Sequence, residues 1–266
     1  MRTLVIVPTY NECKNLPRFV SALLRQAPFV DVLVVDDRSP DGTGKIADYL
    51  ATTTDRVRVL HRAGKLGLGT AYLAGFKYAL SRNYDYVVQM DADFSHRPQD
   101  LPRLLRTVAS ADLVIGSRNI PGGRIENWSL LRRFVSKGGS FYARTVLNLP
   151  IRDCTSGFKC FRRKVLETVD FARLKSNGYG FQVEMNYLCH RAGFRIAEAP
   201  IVFPDRAGGR SKMSLRIFLE AAVLVWKLRI GHTASYFEAT TAPQGSSEQD
   251  ALAPDSSPKV GRALGR

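Results

Sequence analysis

Two aspartates separated by one alanine, Asp91 and Asp93, follow directly after the apolar run Tyr86–Met90. Successive side chains of an extended chain point to opposite faces, so these two carboxylates face the same way. Like charges side by side repel each other, and a metal ion, a substrate or water could lie in front of them. Oxygen ligands at this spacing suit a hard divalent cation that also bridges a diphosphate. The pattern is common by chance, and its position among other motifs gives it weight.

Two more polar segments, "PTYNE" and "DDRSPDGT", also come directly after apolar runs. Tyr10 and Glu12 are of types that stack on a nucleobase and hydrogen-bond a ribose, although a polar turn after a strand is also common. An acidic residue after the second strand, here Asp37, commonly contacts a nucleotide. The following "SPDGT" is typical of a turn that caps a helix.

A glycine-rich loop with Gly64, Gly67 and Gly69 precedes a predicted helix and is a candidate anion site. A dinucleotide-binding fold would carry G-x-G-x-x-G immediately after its first strand. Here the first strand is followed by "PTYNE", and Tyr72 occupies a position where that motif needs a small residue. The sequence therefore argues against a dinucleotide site.

Short apolar runs alternate with helical patterns in the first half of the chain, for example in "NLPRFVSALLRQA", where Asn15 is the predicted N-cap. This alternation predicts an α/β fold with a mostly parallel sheet flanked by helices. Ligands of such sheets bind at the carboxyl ends of the strands, so the three polar segments should meet in one crevice. The predicted strands are Leu4–Val7, Val32–Val35, Val57–Leu60, Tyr86–Met90 and Leu113–Gly116.

The second half predicts a helix over Leu130–Leu147, strands in "GFKCFRR" and "FRIAEAPIVF", and a helix in "GFQVEMNYLCHRA" between them. A C-terminal amphipathic helix should begin after Ser214. We expect one catalytic domain over residues 1–237. Residues 238–266, rich in Ala, Thr, Pro, Ser and Gly, are predicted to be a disordered tail.

The chain has 266 residues and a net charge of +15. Residues 238–266 contain four acidic and three basic side chains, so the excess lies in residues 1–237. Such an excess favours phosphate-rich partners. A basic nucleic-acid-binding protein is one alternative, but it leaves the paired aspartates unexplained, and we expect no nucleic acid partner. The four cysteines form no C-x-x-C pair, which is typical of reduced thiols in a cytoplasmic protein.

The segments "VIVPTYNE", "VVDDRSPDGT", "GLGTAYLAGF", "MDADFSH", "GSR" and "DRAGGRSK", in this order, resemble the family 2 inverting glycosyltransferases of GT-A (Rossmann-like) fold. They are most similar to the polyprenyl (dolichyl) phosphate mannose synthase branch, over roughly residues 3–215. The resemblance implies transfer of mannose from GDP-mannose to polyprenyl phosphate, with inversion to a β-mannosyl phosphate. The alternatives are the same fold acting with UDP-glucose or UDP-N-acetylhexosamine, or transferring to a saccharide.

The resemblance also implies roles for individual residues. Mg²⁺ or Mn²⁺ would be held by Asp91, Asp93 and Ser95. The last position is Gln in some relatives, and since Ser is a weaker ligand, water could substitute for it. The acceptor phosphate would meet Arg118, Arg132 and Ser136, and the catalytic set would be Asp93, Arg118 and Arg132. The implied donor contacts are Pro8, Tyr10, Glu12, Val35, Asp37, Asp91, Ala92, Asp93, Arg118, Arg206 and Lys212. Asp153 could orient the sugar or pair with a basic neighbour, and we favour the pair.

Residues 124–144 combine basic side chains with apolar ones, which predicts an amphipathic surface on anionic lipid headgroups. The apolar bulk is assigned to Trp128, Leu130, Leu131, Phe134 and Phe141. Leu215–Ile230 is either a second interfacial helix or packs against the sheet. No stretch reaches the roughly 18 apolar residues of a membrane span. We therefore expect peripheral association with the cytoplasmic membrane face, and a separate integral membrane partner is possible.

Overall fold

The structure is a computed structural model that describes residues 1–171, 174, 176, 178–205 and 215–231. These residues belong to one compact unit, Met1–Thr233. The predicted domain end at residue 237 and the tail 238–266 lie outside the described residues, so both stay predictions.

Strands and helices alternate along the chain, as the sequence predicts. The strands are β1 (Thr3–Thr9), β2 (Asp31–Asp36), β3 (Val57–His61), β4 (Tyr86–Gln89), β5 (Leu113–Ser117), β6 (Arg124–Ile125), β7 (Lys159–Arg162), β8 (Ile196–Pro200) and β9 (Val202–Phe203). The helices are α1 (Leu16–Gln26), α2 (Thr43–Thr53), α3 (Leu68–Ser81), α4 (Leu101–Thr107), α5 (Leu130–Leu147), α6 (Arg163–Thr168), α7 (Tyr179–Arg191) and α8 (Leu215–Gly231). The five predicted strands are confirmed to within two residues at each end, and the helix predicted over Leu130–Leu147 has those bounds.

The main sheet has the order β3-β2-β1-β4-β7-β5-β8. The pairs β1–β2, β2–β3, β1–β4 and β5–β8 are parallel. The strands are nearly continuous runs of Val, Leu and Ile because both faces of the sheet are covered. In β1 and β2, the residues from Leu4 to Val7 and from Val32 to Val35 are fully buried.

Strand β7 is antiparallel to both of its neighbours, β4 and β5. Gln89, at the carboxyl end of β4, is paired with Lys159, at the start of β7. The loop that precedes β7 therefore opens on the same edge of the sheet as the ends of the parallel strands. Through this reversal, residues 153–157 reach the edge where Asp91 and Asp93 lie.

Three details differ from the sequence prediction. "FRIAEAPIVF" forms two strands, because β8 joins the main sheet while β9 pairs with β6 in a separate two-stranded sheet. Asn15 is the residue before α1, but its side chain makes no cap. It donates instead to Glu12 Oε2 at 2.8 Å. Ser214, the predicted cap of α8, lies outside the described residues.

Helix α8 packs against α5 and α7, with Val225 and Leu228 buried. Tyr142 of α5 donates its hydroxyl to the carbonyl of Ala222 at 3.1 Å. The sequence left open whether this segment packs or faces lipid, and the structure shows that part of it packs, against helices α5 and α7. Among the described helices, none combines the length and apolar character needed to cross a membrane.

Candidate active site

A cleft of about 380 Å³ opens at the carboxyl ends of β1, β2 and β4. The three polar segments of the first half meet there, as predicted, together with basic residues from the second half. The predicted site residues that line it are Pro8, Tyr10, Glu12, Asp37, Asp91, Ala92, Asp93, Arg118 and Arg132. The cleft thus brings two acidic side chains and two arginines to the lining of one nucleotide-sized space.

Asp91 is held in place by two neighbours before any ligand binds. The hydroxyl of Tyr72, a fully buried residue of α3, donates to Asp91 Oδ1 at 2.9 Å. The backbone N–H of Asp91 donates to His96 Nδ1 at 2.9 Å. Burial first, and then the charge of Asp91, raise the pKa of Tyr72 well above its usual value, so the phenol keeps its proton. The rotamer of Asp91 is therefore set by a permanent donor.

Asp93 is held by Ser95. The backbone N–H and the hydroxyl of Ser95 both donate to Asp93 Oδ1, at 3.0 and 2.5 Å. Ser95 is fully buried and is not among the residues that line the cleft. In this arrangement Ser95 orients the carboxylate, and its predicted role as a metal ligand stays a prediction.

The donor set fits a hard divalent cation. Asp91 and Asp93 present carboxylate oxygens to the cleft, and within the described residues no group of three or more His, Cys, Asp or Glu side chains could enclose a metal. Mg²⁺-type sites that act on nucleotides typically use one or two carboxylates, with substrate phosphates and water completing the shell. Two carboxylates beside an open cleft meet that requirement.

The end of the cleft formed by β1 and β2 is built around Asp37. Arg62 lies 2.8 Å from Asp37 Oδ1, and the backbone N–H of Leu66 donates to Asp37 Oδ2 at 3.1 Å. Asp37 therefore ties the glycine-rich loop to the end of β2. From this loop, the ammonium of Lys65 lies 4.0 Å from the ring centre of Tyr10, a cation–π contact over the face on which a base would stack.

Arg118 is fixed by a buried ion pair. Its Nε and Nη2 donate to Asp153 Oδ2 and Oδ1 at 2.7 and 2.6 Å, and its backbone N–H donates to Oδ2 at 2.9 Å. Burial alone would raise the pKa of Asp153, but the charge and hydrogen bonds of Arg118 hold it below the usual value. The predicted pairing of Asp153 with a basic neighbour is confirmed. Thr155 also accepts from Arg118 Nη2, at 2.9 Å.

Arg132, in the first turn of α5, lies over Trp128 with its guanidinium carbon 3.7 Å from the ring centre. Its Nη1 donates to Asp205 Oδ1 at 2.8 Å. Trp128 was predicted to add apolar bulk to the outer surface, and this is wrong, because it is only 9% exposed and packs edge-on against Phe203. The residue supports the arginine from below.

Two predicted site residues besides Ser95 stand apart from the cleft lining. The side chain of Val35 is fully buried in the sheet, so only its backbone could meet a donor. Ser136 is half-buried on α5 and does not line the cleft. Arg206 and Lys212 lie outside the described residues.

Several site residues were missed by the sequence prediction: Lys65, His96, Trp128 and Gln182, which line the cleft, and Tyr72, which donates to Asp91. His96 and Lys65 lie inside segments already singled out, "MDADFSH" and "HRAGKLGLG", and could have been found there. Tyr72 reaches Asp91 from another element, and the sequence carries no signal of that contact. Gln182 lies in a helix for which the sequence predicts no functional role.

Residues 4–170 match the family model described as glycosyl transferase family 2. The undecaprenyl-phosphate mannosyltransferase of Micrococcus luteus is 51% identical over 225 residues, which is 85% of this chain and 93% of that protein. The polyprenol monophosphomannose synthase of Mycolicibacterium smegmatis is 49% identical over 232 residues, covering 86% and 88% of the two chains.

Solved structures share the fold at much lower identity. A mannosyltransferase from Pyrobaculum calidifontis in complex with GDP-mannose and Mn²⁺ is 16% identical, with a TM-score of 0.54 over 86% of this chain and 70% of its own. Glucosyl-3-phosphoglycerate synthase from Mycobacterium tuberculosis with Mn²⁺, UDP and product is 20% identical, with a TM-score of 0.61 over 86% and 80%.

Proposed function

The chain belongs to glycosyl transferase family 2, and from its two relatives of about half identity we infer that it is a glycosyltransferase that transfers mannose to a polyprenyl phosphate. We propose further that the donor is GDP-mannose and that the product is the inverted β-mannosyl phosphate, a lipid-linked mannosyl donor. The observation that carries this proposal is the cleft itself, in which Asp91, Asp93, Arg118 and Arg132 line one nucleotide-sized space. The two relatives that are about half identical act, by their names, on polyprenyl phosphates.

The nucleotide is assigned to the end of the cleft formed by β1 and β2. Tyr10 offers an aromatic face, Glu12 and Asp37 offer hydrogen-bond acceptors, and Pro8 lines the cleft from the last residues of β1. Lys65, which lies over the Tyr10 ring, would have to move aside for a stacked base and would then be near the phosphates. The diphosphate would follow toward Asp91, Ala92 and Asp93.

Mg²⁺ or Mn²⁺ held by Asp91 and Asp93 would neutralise charge on the departing diphosphate. Tyr72 and Ser95 serve that site by fixing one oxygen of each carboxylate. Partners of this kind commonly set how strongly a metal binds, because they orient its ligands.

The acceptor side is supplied by Arg118 and Arg132. A phosphate monoester is already an anion at neutral pH, so its oxygen can attack the sugar without a general base. The main obstacle is the repulsion between this nucleophile and a negatively charged donor, which arginine donors offset. Arg118 is held bidentately by Asp153, so its charge is already balanced and it acts as a rigid, directed donor. Arg132 is shared with Asp205 and can turn to an incoming phosphate.

Peripheral membrane binding is supported by the exposed face of α5. Leu130, Leu131, Phe134 and Phe141 are 82%, 73%, 77% and 69% exposed. Lys137 and Arg144 are exposed on the same helix. On α8, Val223, Trp226 and Ile230 are also exposed. Apolar side chains beside cations suit an anionic bilayer surface, which would bring the lipid phosphate to Arg132. An integral membrane partner stays a prediction.

A donor and acceptor panel tests the proposal. The purified chain is incubated with GDP-mannose, UDP-glucose or UDP-N-acetylglucosamine, with a mass-tagged polyprenyl phosphate, and with or without Mg²⁺ or Mn²⁺. We expect transfer only from GDP-mannose and only with a divalent cation, with a β-anomeric product by NMR. Turnover of a UDP-sugar without any turnover of GDP-mannose would overturn the donor assignment.

Arg132→Ala tests the acceptor assignment. We expect the apparent KM for polyprenyl phosphate to rise at least about tenfold, as loss of a charge-assisted hydrogen bond predicts. The affinity for GDP-mannose should stay within about twofold. A variant that loses only GDP-mannose affinity would show that Arg132 belongs to the donor site.

A further inference from the structure

Gln182, in the first turn of α7, brings an amide into the cleft. The residue lines the cleft and is 3% exposed. Its Oε1 is buried and, within the part of the chain that the structure describes, it accepts no hydrogen bond. A buried acceptor without a donor costs about 1–3 kcal/mol, so such an oxygen at a ligand cleft calls for a donor from the ligand.

The position of Gln182 is fixed from below. Lys159, fully buried at the start of β7, donates its ammonium to the carbonyl of Gln182 at 3.0 Å. Phe181 stacks on Tyr72 with ring centres 6.5 Å apart and an angle of 8° between the planes. The first turn of α7 is thereby tied both to the sheet and to the tyrosine that holds Asp91.

Gly157 and His96 adjoin the amide. A Cβ added to Gly157 would lie 3.4 Å from Gln182 Nε2, 3.4 Å from His96 Cε1 and 3.8 Å from His96 Nε2. His96 Nδ1 accepts from the backbone N–H of Asp91, so the proton of the neutral ring is on Nε2. The imidazole is held by Phe158 and Phe203, whose ring centres lie 5.2 and 5.7 Å away. We call this part of the cleft surface the floor. It combines the side-chain amide of Gln182 with the ring N–H of His96, and Gly157 leaves space above them.

This floor adjoins both charged groups of the cleft. On one side, His96 contacts Asp91, where the diphosphate is assigned. On the other side, Gly157 is two residues from Thr155, which accepts from Arg118. A donor stretched from Tyr10 through the paired aspartates would place its sugar ring over this floor.

We propose that Gln182 is a specificity-determining residue that binds hydroxyl groups of the donor sugar, with His96 and Gly157 completing the subsite. The inference rests on the proposed donor. The oxygen of an amide accepts a hydrogen bond from a hydroxyl group, and its nitrogen donates one. Gln182 can therefore hydrogen-bond two hydroxyl groups of a sugar ring, whereas an apolar side chain can bond none. Sites built to hydrogen-bond a hydroxyl strongly disfavour ligands that lack it.

The test compares binding of GDP and of GDP-mannose by calorimetry, with Mn²⁺ and without acceptor. Gln182→Met keeps the size of the side chain and removes both polar atoms. We expect the Kd of GDP to stay within about twofold, while the Kd of GDP-mannose rises about tenfold, equivalent to one hydrogen-bonded hydroxyl. Gln89→Met is the matched control, because Gln89 is fully buried and its Oε1 also accepts no bond among the described residues, yet it does not line the cleft. It should bind both ligands as the wild type does.

Gly157→Ala is the second variant. Its methyl group would make ordinary contacts with Gln182 and His96 and fill space over the floor, so GDP-mannose should lose affinity while GDP does not. Wild-type protein that does not bind GDP-mannose would refute the proposed donor. When the wild type binds GDP-mannose, a Gln182→Met variant with unchanged GDP-mannose affinity, or with equal losses of GDP and GDP-mannose affinity, would refute the sugar subsite alone.

Discussion

Replacing Asp153 by asparagine removes one charge from the centre of the fold and keeps the shape of the side chain. Asp153 is fully buried, with a relative exposure of 0%, and the Arg118 side chain that it holds is 4% exposed. The variant leaves that guanidinium buried beside a neutral amide. The perturbation therefore tests whether the pair holds the acceptor side of the cleft together.

The magnitude follows from the geometry. The carboxylate accepts three hydrogen bonds from Arg118, at 2.6, 2.7 and 2.9 Å. Breaking a buried pair by removing one partner costs about 3–5 kcal/mol, because the remaining charge is left without compensation. Against a total stability of about 5–15 kcal/mol for a typical domain, this is a large fraction. We expect a loss of about 3 kcal/mol and a strong loss of transfer activity.

Urea unfolding followed by circular dichroism measures the loss. The matched control is Glu126→Gln, which breaks the pair of Arg124 and Glu126, whose side chains are 63% and 38% exposed. Such surface pairs contribute about 0–1 kcal/mol. Equal losses in the two variants, or a loss below about 1 kcal/mol for Asp153→Asn, would refute the reasoning from burial.

The pH dependence gives a second check. The pKa of Asp153 is lowered in the folded state, since the pull of Arg118 outweighs the opposing effect of burial. A carboxyl group of this kind stabilises the fold above its unfolded pKa, about 3.9, and this stabilisation is lost as the pH falls through the folded pKa. The difference in unfolding free energy between wild type and variant should be constant at neutral pH and shrink below about pH 4. A difference that grew on acidification would contradict the assignment.

Three further perturbations address the metal, its support and the membrane. Asp93→Ala should abolish divalent-dependent transfer in the mass-tagged lipid assay while leaving the circular dichroism spectrum unchanged, and full activity would refute the site. Tyr72→Phe removes the hydroxyl that donates to Asp91. It should weaken Mn²⁺ binding in the presence of GDP by about tenfold, measured by electron paramagnetic resonance. An unchanged Mn²⁺ affinity would show that the hydroxyl does not position the carboxylate. Phe134→Ser should lower binding to anionic vesicles about tenfold or more in a sedimentation assay, as loss of one Phe buried in the bilayer predicts. Phe29→Ser is the control, because Phe29 is 55% exposed in the loop after α1, and it should not lower vesicle binding. Equal effects of the two variants would argue against α5 as the docking surface.

Much of the fold could be predicted because its signals are local. The parallel strands are continuous apolar runs, and each polar segment begins where a run ends, so the sequence alone places Asp37, Asp91 and Asp93 at one edge. The same local signal fails where a strand leaves the sheet. "FRIAEAPIVF" reads as one strand, but only its first part pairs with β5, and Val202 and Phe203 pair with β6.

The contacts that complete the site depend on tertiary structure. Trp128 lies in a segment that mixes basic and apolar residues, which predicts an exposed side chain. In the structure, Arg132 and Phe203 cover it. The bond from Tyr72 to Asp91 joins residues 19 positions apart on different elements. The sequence also gives no sign that the hydroxyl of Ser95 donates to the neighbouring carboxylate of Asp93. No periodicity or composition distinguishes these arrangements in advance.

The reversed strand β7 has a consequence for the order in which the protein can assemble during synthesis. Strands β1 to β4 can pair as soon as they leave the ribosome, but β4 and β5 are not neighbours until β7 lies between them. The sheet therefore stays in two pieces until residue 162 has emerged, and Arg118 lacks its partner until Asp153 has been made. Because domains form from the N-terminus during synthesis, a nascent chain stalled before residue 150 should contain the paired aspartates and no assembled acceptor side. Nascent chains of this kind would expose the edge of β4, which is where a chaperone would be needed.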